Sequence, residues 1–134
     1  MRALTRITVV NDNPEFLEVI GDILEDDRYD TTTIDGDEDG SYEAIVASRP
    51  DLLMIDLRMG SEKIHGWDIA QRVRQDPGFI DLPILLCSAD PMALREIAEQ
   101  LGEDHQVRTL SKPFTIDQLT GAIAALLGDR VPST

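Results

Sequence analysis

Short apolar runs and helical apolar patterns alternate along the chain. Residues 6–12, RITVVND, are rich in β-branched side chains and contain no proline or glycine, which predicts a buried strand. Asn13 then supplies a helix N-cap and Pro14 a first-turn proline, so a helix is predicted from there to Asp27. Its expected inward face has the spacing of an amphipathic helix and consists of Phe16, Val19, Ile20, Ile23 and Leu24.

The same alternation continues to the end of the chain. Further strands are predicted at residues 29–35, 51–56, 81–88 and 106–111, and the first of these is polar enough for a sheet edge. The intervening helices are predicted at residues 39–49, around Trp67 to Val73, and from Pro91 to Gly102 with Leu94, Ile97, Ala98 and Leu101 inward. A capping box of Thr115 and Gln118 opens a last helix.

Five strands that alternate with five helices through short connections require parallel pairing by right-handed crossovers. The sequence therefore predicts an α/β domain with a doubly wound, five-stranded parallel sheet. We assign residues 1–128 to this domain and expect residues 129–134 to be a frayed tail.

Composition limits the cellular compartment and the kinds of partner that are expected for the protein. The 134 residues suit one domain, and the 42% of hydrophobic residues can build a core. Cys87 is the sole cysteine and no apolar run approaches the length of about 18 residues of a membrane span, so we expect a cytoplasmic protein. The formal net charge of −14 argues against nucleic acid and anionic membranes as partners.

Polar side chains stand where the predicted strands end. Asn11 and Asp12 end the first strand, Asp56 the third, Ser88 the fourth and Lys112 the fifth. Because ligands of doubly wound sheets bind beyond the carboxyl ends of the strands, this edge is the candidate functional site. A carboxylate at the end of the apolar run DLLMID is costly to bury unless a neighbouring group compensates its charge.

The chain resembles the receiver domains of bacterial two-component response regulators over essentially its full length. The motifs that carry the resemblance are VVND at the first strand, LLMID at the third, LLCSAD at the fourth and SKPF at the fifth. The resemblance implies a sheet order of 2-1-3-4-5. It also implies transfer of a phosphoryl group from a histidine kinase, or from an Hpt-type phosphotransfer protein, to one aspartate.

By this resemblance Asp56 is the phosphoacceptor and Mg²⁺ is the cofactor. Asp12 and Asp56 would supply carboxylates to the metal, and the backbone carbonyl of Arg58 would be the third protein ligand. Asn11 stands where the family usually has a second acid, and its carboxamide can still hold a metal-bound water. One negative charge is lost from the pocket, so a weaker Mg²⁺ affinity than in a two-acid pocket is expected. Mg²⁺ suits such a pocket because it binds one or two carboxylates and keeps several waters.

The resemblance also assigns the two other polar groups. Lys112 would pair with the phosphoryl oxygens, and Ser88 would donate its hydroxyl to one of them and act as a switch residue. The step from Lys112 to Pro113 matches a Lys-Pro pair whose peptide bond is cis in the family.

Two further departures from the family pattern concern the loop after Asp56 and the switch. Gly60 replaces a proline of the family pattern, and about two extra residues precede Gly66. A more mobile loop beside Asp56, which contains His65, is therefore expected. A gating or metal-binding role for His65 is an alternative to a plain exposed loop side chain. Thr109 occupies the switch position at which the family has an aromatic residue, so switching must proceed differently here.

Three functions remain open from the sequence. The first is a phosphorylatable receiver that is not itself a turnover enzyme, acts as a monomer or weak homodimer, and signals to an unidentified downstream protein. The second is an interaction module that has kept the fold without regulated phosphorylation. The third, a Mg²⁺-dependent phosphohydrolase, would need an acid where Arg58 stands. Whether the chain is a stand-alone regulator or part of a longer protein is also open.

Overall fold

The computed structural model describes residues 4–36, 40–57, 65–101 and 106–128, except for the side chain of His65. The strands are β1 (Arg6–Asn11), β2 (Asp30–Asp35), β3 (Leu52–Asp56), β4 (Ile84–Ser88) and β5 (Val107–Ser111). The helices are α1 (Pro14–Asp26), α2 (Ser41–Ser48), α3 (His65–Arg74), α4 (Pro91–Leu101) and α5 (Ile116–Gly128), and Pro77–Phe79 forms a single 3₁₀ turn.

The strands form one parallel sheet in the order β2-β1-β3-β4-β5. This confirms the predicted doubly wound α/β architecture and places the polar strand β2 at an edge. Within the described ranges, every helix is too short or too polar to cross a membrane.

The core consists of two apolar layers, one on each face of the sheet. One layer joins alternate residues of the central strands to α2, α3 and α4, and includes Leu53, Ile55 and Leu86. The other joins the opposite residues of the same strands to α1 and α5, and includes Met54 and Leu85. All residues of β3 and β4 are buried, because helices cover both faces of these central strands.

Capping side chains set the starts of three helices, among them the predicted caps of α1 and α5. Asn13 Oδ1 accepts hydrogen bonds from the backbone N–H groups of the first turn of α1, and Asp90 Oδ1 does the same for α4. In α5 the backbone N–H of Thr115 donates to Gln118 Oε1 at 2.9 Å, and that of Gln118 donates to Thr115 Oγ1 at 3.0 Å. This reciprocal pair is the predicted capping box.

Several predicted boundaries and faces differ from the structure. β4 begins at Ile84 and not at residue 81, since Pro83 has no N–H to give to a neighbouring strand. Val19 and Ala98 were predicted to face inward, but Val19 is 56% exposed and Ala98 is exposed. The predicted helix end at Gly102 and the predicted tail at residues 129–134 lie outside the described residues.

Replacement of a fully buried leucine tests the two-layer core. We expect Leu53→Ala, at a side chain with 0% exposure, to lower the free energy of unfolding by about 2–5 kcal/mol, because it leaves a cavity. Leu4→Ala is the matched control, since Leu4 is 55% exposed, and should change stability by less than about 0.5 kcal/mol. Urea denaturation followed by circular dichroism measures both, and equal effects would contradict the described packing.

Candidate functional site

Two donors from neighbouring strand ends meet the carboxylate of Asp56. Asn11 Nδ2, at the end of β1, donates to Asp56 Oδ2 at 2.9 Å. Lys112 Nζ, directly after β5, donates to the same oxygen at 2.6 Å. The side chain of Asp56 is only 11% exposed, so these donors compensate a nearly buried charge. Asp56 and Lys112, which the sequence places at the same edge of the sheet, are therefore in direct contact.

The backbone on either side of Asp56 is fixed by β4. Asp56 lies opposite Cys87 in the sheet register, and the N–H of Leu57 donates to the carbonyl of Cys87 at 2.9 Å. Burial raises the pKa of the Cys87 thiol to about 12, against an opposing effect of Lys112 and a smaller raising effect of Asp56. The thiol of Cys87 is consequently uncharged at physiological pH and adds no negative charge beside Asp56.

Lys112 is held at both its backbone and its ammonium group. Its N–H donates to the carbonyl of Ser88 at 2.9 Å, and its peptide bond to Pro113 is cis, as the resemblance implies. Nζ lies 4.3 Å from the ring centroid of Phe16, which packs edge-on against Phe114 at 6.2 Å. From the sequence, Phe16 is predicted only as a core residue of α1. Its contact with the Lys112 ammonium could not be predicted, because it depends on how close the start of α1 lies to the end of β5 in the fold.

Asn11 is fully enclosed and its amide has partners on both sides. The residue is 2% exposed, and its Oδ1 accepts the backbone N–H of Asn13 at 2.8 Å. Its backbone carbonyl accepts the N–H of Gly36 at 3.0 Å. Asn11 thus connects the start of α1 to Asp56.

The donor set fits a hard divalent cation with few protein ligands. Asp12 follows Asn11 directly and is partly exposed. Within the described ranges, no group of three or more His, Cys, Asp or Glu side chains could hold a metal ion. One or two carboxylates, such as Asp12 and Asp56, are still enough for Mg²⁺, because this ion keeps most of its waters. The backbone carbonyl of Arg58 lies outside the described residues, as does Gly60.

The other predicted residues occupy different parts of the same edge. Ser88 is 2% exposed, and its Oγ accepts the backbone N–H of Asp90 at 3.0 Å in the turn that leads to α4. That bond uses one lone pair, so the hydroxyl keeps a proton to donate. Thr109 is exposed on the edge strand β5. His65 begins α3, and the role of its side chain stays a prediction.

Gly66 brings α3 against the backbone of the candidate phosphoacceptor. A Cβ atom at Gly66 would clash with the carbonyl oxygen of Asp56. The N–H of Gly66 donates to the carbonyl of Leu57 at 2.9 Å. The next residue, Trp67, donates through Nε1 to Gln100 Oε1 of α4 at 3.3 Å. The start of α3 therefore links the backbone of Asp56 to α4.

Comparison with known proteins identifies the class. The sequence-family model named response regulator receiver domain matches residues 7–124 of the chain. The chain belongs to this family, the receiver domains of two-component signalling.

Individual relatives differ in overall size. The DNA-binding dual master transcriptional regulator RpaA from Synechocystis sp. is 30% identical over 137 residues, which cover 96% of this chain and 52% of RpaA. The hybrid signal transduction histidine kinase D of Dictyostelium discoideum is 29% identical over 121 residues, which cover 90% of this chain and 7% of the kinase. The chain thus spans about half or less of the length of these relatives.

Solved structures give the same fold. The N-terminal domain of a response regulator receiver protein from Methanoculleus marisnigri is 32% identical, with a TM-score of 0.68 over 93% of this chain and 98% of that one. The chemotaxis protein CheY4 of Vibrio cholerae has a TM-score of 0.78 at 20% identity, over 93% of this chain and 100% of that one.

Addition of one methyl group at Gly66 tests the contact with Asp56. We expect Gly66→Ala to lower the free energy of unfolding by about 2–4 kcal/mol, because the backbone of Asp56 must move aside. Gly121→Ala makes the same change in α5 at a site with no neighbouring atom within 4 Å, and should raise stability by up to about 1 kcal/mol. Thermal and urea unfolding measure both, and a neutral Gly66→Ala would contradict the described contact.

Proposed function

We propose that the protein is a phosphorylatable receiver whose Asp56 accepts a phosphoryl group from a histidine kinase or a histidine phosphotransfer protein. The observation that supports this most strongly is the 2.6 Å contact between Lys112 Nζ and the carboxylate of Asp56 at the open edge of the sheet. A carboxylate oxygen of Asp56 attacks phosphorus, the phosphorus–nitrogen bond of the donor imidazole breaks, and its electron pair stays on that nitrogen. The product is an acyl phosphate on the protein itself, so the domain is a signalling acceptor and not a turnover enzyme.

Asp12 and Asp56 would hold Mg²⁺ at this site, together with the backbone carbonyl of Arg58. The bound ion would neutralise negative charge on the transferring group. A structural relative, the response regulator TrrA from Thermotoga maritima, was solved in complex with Mg²⁺-BeF; at 22% identity it shares the fold with this chain.

Lys112 and Ser88 would bind the oxygens of the phosphoryl group once it is on Asp56. The ammonium of Lys112 already lies at the carboxylate and would pair with a phosphoryl oxygen as a point charge. The hydroxyl of Ser88, whose Oγ accepts the backbone N–H of Asp90, would donate its proton to another phosphoryl oxygen. With Thr109 in place of an aromatic residue, the downstream partner would respond to changes other than ring rotation.

The phosphodonor protein would dock on the groove between α1 and α5, which we call the α1–α5 groove. The groove has a volume of about 630 Å³ and reaches Lys112, so a partner seated there is beside the site. Val19 and Ile116 line it and are 56% and 59% exposed. An adjacent stripe of α1 is acidic and exposed, and consists of Glu15, Glu18, Asp22, Glu25 and Asp26. A partner with an apolar surface flanked by basic residues would complement both features.

We expect such signalling to take place in the cytoplasm. A sole cysteine that is buried with a strongly raised pKa is compatible with a reducing compartment.

Acetyl phosphate tests the acceptor chemistry without a partner protein. With Mg²⁺, we expect intact mass spectrometry to show one added phosphoryl group on the wild type and none on Asp56→Asn. Lys112→Ala should slow the reaction at least about tenfold, because it removes the charge-assisted hydrogen bond to Asp56. A wild type that stays unmodified with Mg²⁺ would favour the interaction module without regulated phosphorylation.

Removal of one apolar side chain tests the α1–α5 groove. We expect Ile116→Ser to slow phosphoryl transfer from an autophosphorylated histidine kinase about five- to tenfold, which corresponds to the loss of one buried aliphatic contact. Ile80→Ser is the matched control, since Ile80 is 63% exposed and lies outside the groove. Modification by acetyl phosphate should be equal in both variants, and equal transfer from the kinase would exclude the groove as its docking surface.

A further inference from the structure

The amide of Asn11 has a single orientation that satisfies its neighbours. Nδ2 faces the carboxylate of Asp56 at 2.9 Å, and Oδ1 faces the backbone N–H of Asn13 at 2.8 Å. The opposite orientation would bring Oδ1 against a carboxylate oxygen and the NH₂ group against an N–H, which loses both hydrogen bonds. Asn11 therefore presents a donor, and not an acceptor, to Asp56.

This orientation changes what the position contributes to the pocket. An acid at position 11 would face Asp56 with a second negative charge, and the pair would require a cation between them. The amide instead donates to Asp56 Oδ2, beside the ammonium of Lys112. The carboxylate of Asp56 is thus held in place by two protein donors without a metal.

We propose that Asn11 is a positioning residue for Asp56 and not a metal ligand, and that the pocket binds divalent cations weakly through Asp12 and Asp56. This inference rests on the proposed phosphoacceptor function for its meaning, but its first test concerns the metal pocket alone. The rigid surroundings of Asn11 support it: the side chain is 2% exposed and is tied to Asn13, which itself caps α1. A residue fixed on both sides cannot turn its oxygen to a cation without breaking these contacts.

Titration of MgCl₂ into the metal-free protein, followed by calorimetry, measures the affinity of the pocket. We expect Asn11→Asp to bind Mg²⁺ about 10- to 100-fold more tightly than the wild type, because it adds a carboxylate to the pocket. Asn11→Ala should stay within about threefold of the wild type, since no metal ligand is lost. Gln75→Glu adds the same charge at an exposed position after α3 and should match the wild type.

Two results of this titration would overturn the proposal. A loss of about tenfold or more in Asn11→Ala would show that the amide holds the metal or its water. An Asn11→Asp variant that binds no more tightly than the wild type would show that charge at this position does not limit affinity. If Asn11→Ala does not fold, Asn11→Ser takes its place with the same expected affinity.

Melting curves give a second readout that is independent of phosphorylation. In the presence of a chelator, Asn11→Asp should melt below the wild type, because two carboxylates then face each other. Saturating Mg²⁺ should remove this deficit, since the ion binds only the folded pocket. A deficit that Mg²⁺ leaves unchanged would contradict the placement of position 11 beside the metal.

Phosphorylation kinetics test positioning and separate the two proposals. At saturating Mg²⁺ and acetyl phosphate, Asn11→Ala should lower the maximal rate constant at least about fivefold while the half-saturating Mg²⁺ concentration stays unchanged. An unchanged maximal rate would overturn the positioning role. If no protein is modified but the Mg²⁺ affinities follow the expected order, the phosphoacceptor function fails and the account of the pocket stands. If the wild type is modified but the affinities do not follow that order, only the account of Asn11 fails.

Discussion

The structure depends on a negative charge held at the end of a buried strand. β3 is covered on both faces and ends in Asp56, whose side chain is 11% exposed. Donors that converge on the carboxylate compensate this charge, among them Lys112 from the end of β5 and Asn11 from β1. The sheet order places β1 beside β3 and β5 on the far side of β4, and all of these parallel strands end at the same edge. The fold itself therefore brings these donors to one point. The order of the strands therefore determines which side chains can stabilise the charge of Asp56.

The two faces of the sheet contribute differently to the site. The layer with α1 and α5 supplies Phe16, which lies beside the ammonium of Lys112, and Phe114, which packs against Phe16. The same layer also forms the α1–α5 groove. The layer with α3 and α4 supplies Gly66, which presses on the backbone of Asp56, and Gln100, which binds Trp67. The side chains next to the Lys112–Asp56 pair thus come from one face of the sheet. The contacts that fix the backbone of Asp56 to a helix come from the other face.

Much of this arrangement could be predicted from the sequence, for identifiable reasons. Apolar runs and caps predict the strands and helices, and parallel strands must bring Asn11, Asp56 and Lys112 to one edge. The exposure of Val19 was not predicted, because helical spacing shows which residues share a face but not whether a neighbouring helix covers that face fully. The orientation of the Asn11 amide was equally inaccessible, since it is set by the backbone N–H of a residue two positions later in a turn.

The position of Trp67 has a practical consequence. It is the sole tryptophan of the chain, it is 8% exposed, and it follows the glycine that touches the carbonyl of Asp56. Indole emission depends on local polarity and on hydrogen bonding at Nε1, which here joins α3 to α4. The molecule therefore carries its own optical reporter, and we expect its emission to respond to changes at the carboxylate of Asp56 without a label.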